Sequence, residues 1–153
     1  MKNLTKKIVF VAVVLWVVFA YIYRNDINGN TFDINKFESE MKAKNYELKI
    51  INVKQEFLPT TRKRMIIGEE AVDIYLYGNN KKMENDAKNI DSGGCEYTSK
   101  GDILNSVKVS WISEPHFYKK GKIIVLYVGT NEKIISDLKE IFGEEFAGTE
   151  KYN

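Results

Sequence analysis

Cysteine and histidine are almost missing from this 153-residue chain, which holds one of each, Cys95 and His116. A lone Cys makes no internal disulfide, and one Cys with one His falls short of the ligands of a structural zinc site. Proline occurs twice and glycine ten times, too rarely for a repetitive or loop-dominated chain. No single sign of charge dominates, with 23 basic residues against 21 acidic ones, and a hydrophobic content of 44% is too high for disorder. Gly68, Gly78 and Gly129 each stand alone, so there is no glycine-rich phosphate loop. No cofactor and no metal site is expected. The length fits one ordinary domain.

What is present is uneven. Ile8 through Tyr23 (IVFVAVVLWVVFAYIY) is an unbroken run of sixteen apolar or aromatic residues, in a chain whose mean hydropathy is −0.34. As a helix the run spans about 24 Å, a little less than a ~30 Å hydrocarbon core. Lys6 and Lys7 can snorkel at one side, and Tyr21, Tyr23 and Arg24 suit the opposite interface. Residues 1–24 therefore read as a signal anchor that crosses the membrane through residues 8–23. The basic flank comes first, which keeps the N-terminus cytoplasmic and exports the chain beyond Arg24. Cleavage after Val18 and Ala20, giving a secreted domain, is the alternative. It is disfavoured because the apolar run continues without a polar spacer. No Cys lies near the end of the run, so lipidation is excluded. Residues 1–24 carry four of the basic residues and no acid, leaving 19 basic against 21 acidic residues in the remainder. The exported part is thus slightly acidic.

Residues 25–32 form a short polar link, 33–148 an extracytoplasmic domain and 149–153 a tail. Asp33 is an N-cap for a helix bearing Ile34, Phe37 and Met41 on one face, with Asn45 as its stop. Tyr46, Leu48 and Ile50 alternate and then shift phase at Ile51 and Val53, which predicts a strand with a bulge. Arg64–Ile67 and Val72–Tyr77 flank a hairpin turn at Gly68-Glu69-Glu70. Asn80 is expected to cap a helix carrying Met83, Ala87 and Ile90, which ends at Asp91-Ser92-Gly93-Gly94. A loop then runs to Asp102, and Val107, Val109 and Trp111 mark a strand. Ile123–Val128 is apolar throughout, as a central strand would be. Thr130 or Asn131 starts a last helix with Ile134, Ile135, Leu138, Ile141 and Phe142 inward and Gly143 as its stop. Residues 72–90 align without gaps to 123–141, with Gly78/Gly129, Asn80/Asn131, Lys82/Lys133, Asp86/Asp137 and Ile90/Ile141 coinciding. A repeated ββα unit predicts an α+β fold, an antiparallel-rich sheet with helices on one face.

Motifs with chemical meaning are weak. Asp91-Ser92-Gly93-Gly94 echoes a serine-protease nucleophile, but the only His follows the Ser and the domain is too small for that fold. Cys95 or His116 supplies the alternative reading, a small cell-surface hydrolase. Asp26, Asn28 and Asn30 begin a calcium loop that fails at Thr31 and Phe37. The preferred candidate is a binding surface made by Arg62, Lys63 and Arg64 beside Pro59, together with His116, Phe117, Tyr118, Lys119, Lys120 and Lys122. Cations interleaved with aromatic rings suit an envelope protein or an anionic wall or lipid ligand, whereas nucleic acid is not a partner for an exported domain. The function expected is a non-catalytic binding or envelope-accessory domain.

The stretch Ser110–Gly129 (SWISEPHFYKKGKIIVLYVG), with Gly143–Gly148 (GEEFAG), resembles a group of small membrane-anchored or lipoprotein-like proteins of Gram-positive bacteria. The resemblance implies a compartment, the cell envelope, and no chemistry.

Overall fold

A computed structural model describes residues 31–99 and 106–148. The apolar run 8–23 and the link up to residue 30 lie outside the described residues. Among those described, no helix is long and apolar enough to cross a membrane. The elements are α1 (Ile34–Ala43), β1 (Lys49–Asn52), β2 (Thr61–Ile67), β3 (Glu70–Leu76), α2 (Asn80–Ala87), β4 (Glu96–Thr98), β5 (Ser106–Lys108), β6 (Pro115–Lys120), β7 (Ile123–Val128), α3 (Glu132–Phe142) and β8 (Ala147–Gly148). Six strands form one antiparallel sheet in the order β1-β2-β3-β7-β6-β8, and β4 pairs with β5 in a separate ribbon. The domain is therefore α+β, as expected.

Local chemistry accounts for most element ends. The Asp33 carboxylate accepts from the amides of Asn35 and Lys36, and Asn131 accepts from those of Lys133 and Ile134. Asn45 takes a φ of 63° and stops α1. Gly68 and Gly121 hold φ near 60° at the first position of the two-residue turns joining β2 to β3 and β6 to β7. Four details differ from expectation. The cap of α2 is Asn79, not Asn80, whose side-chain amide donates to the Gly121 carbonyl instead. That helix ends at Ala87, and Asp91–Gly94 is a turn in which the Asp91 carboxylate accepts from the Glu96 amide at 2.5 Å. β1 pairs one-to-one with β2 and has no bulge, because Tyr46 and Leu48 pack against the core before the strand begins. Part of the expected loop before Asp102 is strand β4.

The apolar pattern of β7 explains the layering. Ile123, Val125 and Tyr127 point into a first core layer with Val72, Ile74, Met65 and Tyr118, which α1 and α3 cover through Phe37, Met41, Ile134, Leu138 and Ile141. Ile124 and Leu126 point the other way, into a second layer with Tyr75 and Phe117. There α2 contributes Met83 and Ala87, and the 53–60 loop and β4 add Phe57, Leu58 and Tyr97. The expectation of helices on one face is thus corrected. A sheet apolar on both faces must be covered on both. The ββα order does occur twice, as β2-β3-α2 and β6-β7-α3.

Candidate interaction surface

Phe57 adopts a φ of 63°, uncommon for a residue other than glycine, at a cost of about 1–3 kcal/mol. Its ring is buried against Trp111 (5.5 Å between centroids), Phe117 (5.6 Å) and Tyr97 (6.4 Å), and burial of a phenyl group offsets about 1.5–3 kcal/mol. Members of this cluster line two grooves of about 630 Å³ each, Phe57 and Tyr97 the one and Trp111 the other. One runs along the 53–60 loop and ends beside residues 99 and 106. The other lies at the opposite end of the sheet, bounded by Cys95, Trp111, Glu114, Pro115 and Gly148.

The second groove has a rigid rim. Trp111 Nε1 donates to the Gly94 carbonyl at 2.8 Å, and a side chain at Gly94 would strike the Phe117 ring. The segment leading out of β5 is pinned by the Val109 amide on the Cys95 carbonyl, and its far end by the Gly129 amide on the Glu114 carbonyl, both at 2.9 Å. Between these pins Ile112 is 101% exposed. Sequence reasoning missed Ile112 as a site residue. Its only signal was an isoleucine set between Trp111 and Ser113, ahead of Glu114-Pro115 and off the Val107-Val109-Trp111 alternation.

The nine residues anticipated as a binding surface are not brought together. Arg62, Lys63 and Arg64 lie in β2 and the others in or just after β6, with β3 and β7 between those strands. Arg62 is only 8% exposed, its guanidinium 2.9 Å from Glu56 and 3.3 Å from Asp73. Arg64 grips the same Asp73 through two nitrogens at 2.7 and 2.9 Å, a contact that raises its pKa further. The Arg62 Nε and the Tyr75 hydroxyl are buried without hydrogen-bond partners among the described residues. Burial, with Asp73 nearby, pushes the Tyr75 hydroxyl pKa well up. Phe117 and Tyr118 belong to the core, one in each layer. Lys119 pairs with Glu84 at 2.6 Å, while Lys120 donates to the Ile141 carbonyl and lies over the Phe32 ring. The stretch anticipated as a connection is strand β6 and its turn.

His116 is 4% exposed and stacks on Tyr127. Its Nε2 is 3.1 Å from the Gly129 carbonyl and its Nδ1 is 2.9 Å from the Glu145 carboxylate. Both ring nitrogens are engaged, which leaves neither open to the Cys95 thiol. That thiol is exposed, with Sγ 3.5 Å from the Gly93 carbonyl. His116 works instead as a clasp, tying the segment before β8 to the start of β6 while the Gly148 amide donates to the Ser92 carbonyl. Among the described residues no group of three or more acidic, Cys or His side chains is arranged to hold a metal ion.

No family model, curated protein sequence or solved structure matches this chain.

Proposed function

We propose that the chain is a single-pass, membrane-anchored binding domain displayed outside the cytoplasm, and that it captures a protein partner through Ile112 and the groove beside it. The anchor reading rests on residues 8–23 and their basic flank. The binding reading rests on one observation: a fully exposed isoleucine on a segment pinned at both ends. Such a side chain gains about 1.5–3 kcal/mol on burial by a partner. It loses little backbone freedom in doing so, because the segment is already ordered. Trp111, Pro115 and the groove floor supply the apolar surround that excludes water from such an anchor.

The experiment is a photo-crosslinking residue placed at Ser113, which lines the groove beside Ile112, in intact cells, followed by identification of the adducts. A discrete partner is expected, lost in Ile112→Asp with no fall in melting temperature. Adducts unchanged by that substitution reject the surface. Retention of the intact mass in membranes washed with alkaline carbonate distinguishes an uncleaved anchor from a secreted product.

A further inference from the structure

The two ends of the sheet carry opposite charge. Strand register places Thr61, Leu76, Ile123 and Lys120 in a row at one end. Phe32, where the chain arrives from its N-terminal segment, sits at this same end, because the Lys122 amide donates to the Phe32 carbonyl at 2.9 Å. The first turn of α2 lies there too, joined to the β6–β7 turn by Asn80 and Gly121. Lys54, Lys81, Lys82, Lys120 and Lys122 therefore gather around the point of entry, and none of the five has a salt bridge among the described residues. The carboxylates nearby are already engaged: Asp33 caps α1, Glu56 holds Arg62, Glu84 holds Lys119 and Glu40 holds Lys36. Around the opposite end stand Glu69, Glu70, Glu114 and Glu132, beside Lys49 and Lys133, the latter paired with Asp137.

Two of these lysines sit where local physics disfavours them. Lys81 and Lys82 occupy the first turn of α2, which has no acidic residue, although the helix dipole there favours anions. A placement that breaks a local rule without compensation inside the fold points to a charge met outside it. The tether limits what that charge is. Seven residues lie between Arg24 and Phe32, eight residue steps with a reach of at most about 29 Å. The tether thus lets the lysine end come within a Debye length of ~8–10 Å of the bilayer, the range over which attraction to charged headgroups operates.

We infer that the lysine end docks on anionic lipid headgroups, which stands the sheet upright with its acidic end and Ile112 turned away from the membrane. This rests on the anchored reading given above. The exported part carries more acidic than basic residues, so an anionic bilayer attracts it in this one orientation and repels it in the reverse one.

The test uses the full chain reconstituted into vesicles of phosphatidylcholine alone or mixed with phosphatidylglycerol. A membrane-impermeant acylating reagent then reports each lysine by mass spectrometry. Lys54, Lys81, Lys82, Lys120 and Lys122 are expected to react several-fold more slowly on the phosphatidylglycerol vesicles, with the difference lost in high salt and no difference at Lys49, Lys88 or Lys108. Charge reversal by Lys81→Glu with Lys122→Glu, both on the surface, should restore fast reaction at the remaining three. Equal rates on both vesicles overturn the docking. A chain that washes off in alkali removes the anchor reading instead. The docking is then decided by sedimentation, where salt-sensitive binding to phosphatidylglycerol vesicles supports it and no binding overturns it.

Discussion

Met83 and Ile134 stand at equivalent places in the two ββα units, 51 residues apart, and pack on opposite faces of the sheet. The preceding strands keep the same side, with Val72 and Ile123, and Ile74 and Val125, all in the first layer. The difference arises where the strands end. β3 stops at Leu76, which packs in the first layer, and β7 runs one residue further in the aligned frame, to Val128, which packs in the second. With a side-chain period of two, a one-residue change in the exit sends the following helix to the other face.

Because these helices seal separate layers, Met83→Ala and Ile134→Ala should each destabilise the domain by about 2–4 kcal/mol. The double variant should show the sum within about 0.5 kcal/mol. Urea unfolding of the three variants checks this. A strong coupling energy would mean that the two layers respond as one.

Asp73 holds both Arg62 and Arg64, so Asp73→Ala strands Arg64 and leaves the buried Arg62 with Glu56 as its one remaining carboxylate. A loss of about 3–5 kcal/mol is expected. Lys63→Ala in the same strand, with no ion-pair partner among the described residues, should change stability by less than about 0.5 kcal/mol. Chemical denaturation of both variants provides the comparison.

Alkaline stability is set by the tyrosines. Burial, reinforced by Asp86, raises the Tyr97 pKa to about 12, and burial with Glu145 and Glu144 raises that of Tyr118 to about 12. The folded state favours the protonated phenol, so their contribution is complete below the unfolded value of 10.0 and is lost as pH climbs from there towards 12. The tyrosinate absorbance contributed by these buried rings should rise in one cooperative step with loss of the fold. A gradual rise well below that window would contradict the burial.

Asp137 governs the acid side. Burial alone would raise its pKa, but hydrogen bonds from Lys133, Tyr46 and Lys44 outweigh it and hold the carboxyl below its usual 3.8. Its contribution is therefore present above pH 3.8 and disappears as pH falls through the lower folded value. Asp137→Asn should lower stability at neutral pH and flatten the acid limb of a stability–pH curve.

The clasp at His116 predicts a local effect. Glu145→Ala removes the carboxylate facing Nδ1 and should speed amide exchange at Phe146 and Gly148, whose amides donate to Phe117 and Ser92. Exchange in β7 should change only by the global loss, about 1–2 kcal/mol. Hydrogen-exchange mass spectrometry distinguishes the two regions.

Sequence patterns were informative where one element decides the outcome alone. The caps at Asp33 and Asn131, the stop at Asn45, the central place of Ile123–Val128 and the inward stripe of α3 are all local readings. The stripe on α2 showed that Met83 and Ala87 are buried but not which sheet face receives them, since that depends on the parity of the strand exit. Three-residue β4 is too short to carry a periodic signal. The basic run 62–64 looked available because its neutralising partner, Asp73, is met only across the β2–β3 register. The lysine end was hidden for the same reason: its members are scattered from residue 54 to 122 and meet only through strand pairing.

The seam between β3 and β7 has a consequence for how the chain reaches this fold. Each hairpin closes through a two-residue turn and is local, whereas the seam joins Val72 to Tyr127 and Leu76 to Ile123 across the intervening α2, ribbon and β6. Closing that long segment loses chain entropy before either core layer is complete. The two halves thus meet late, and the rate of their meeting sets how long the apolar edges of β3 and β7 stay open to other chains.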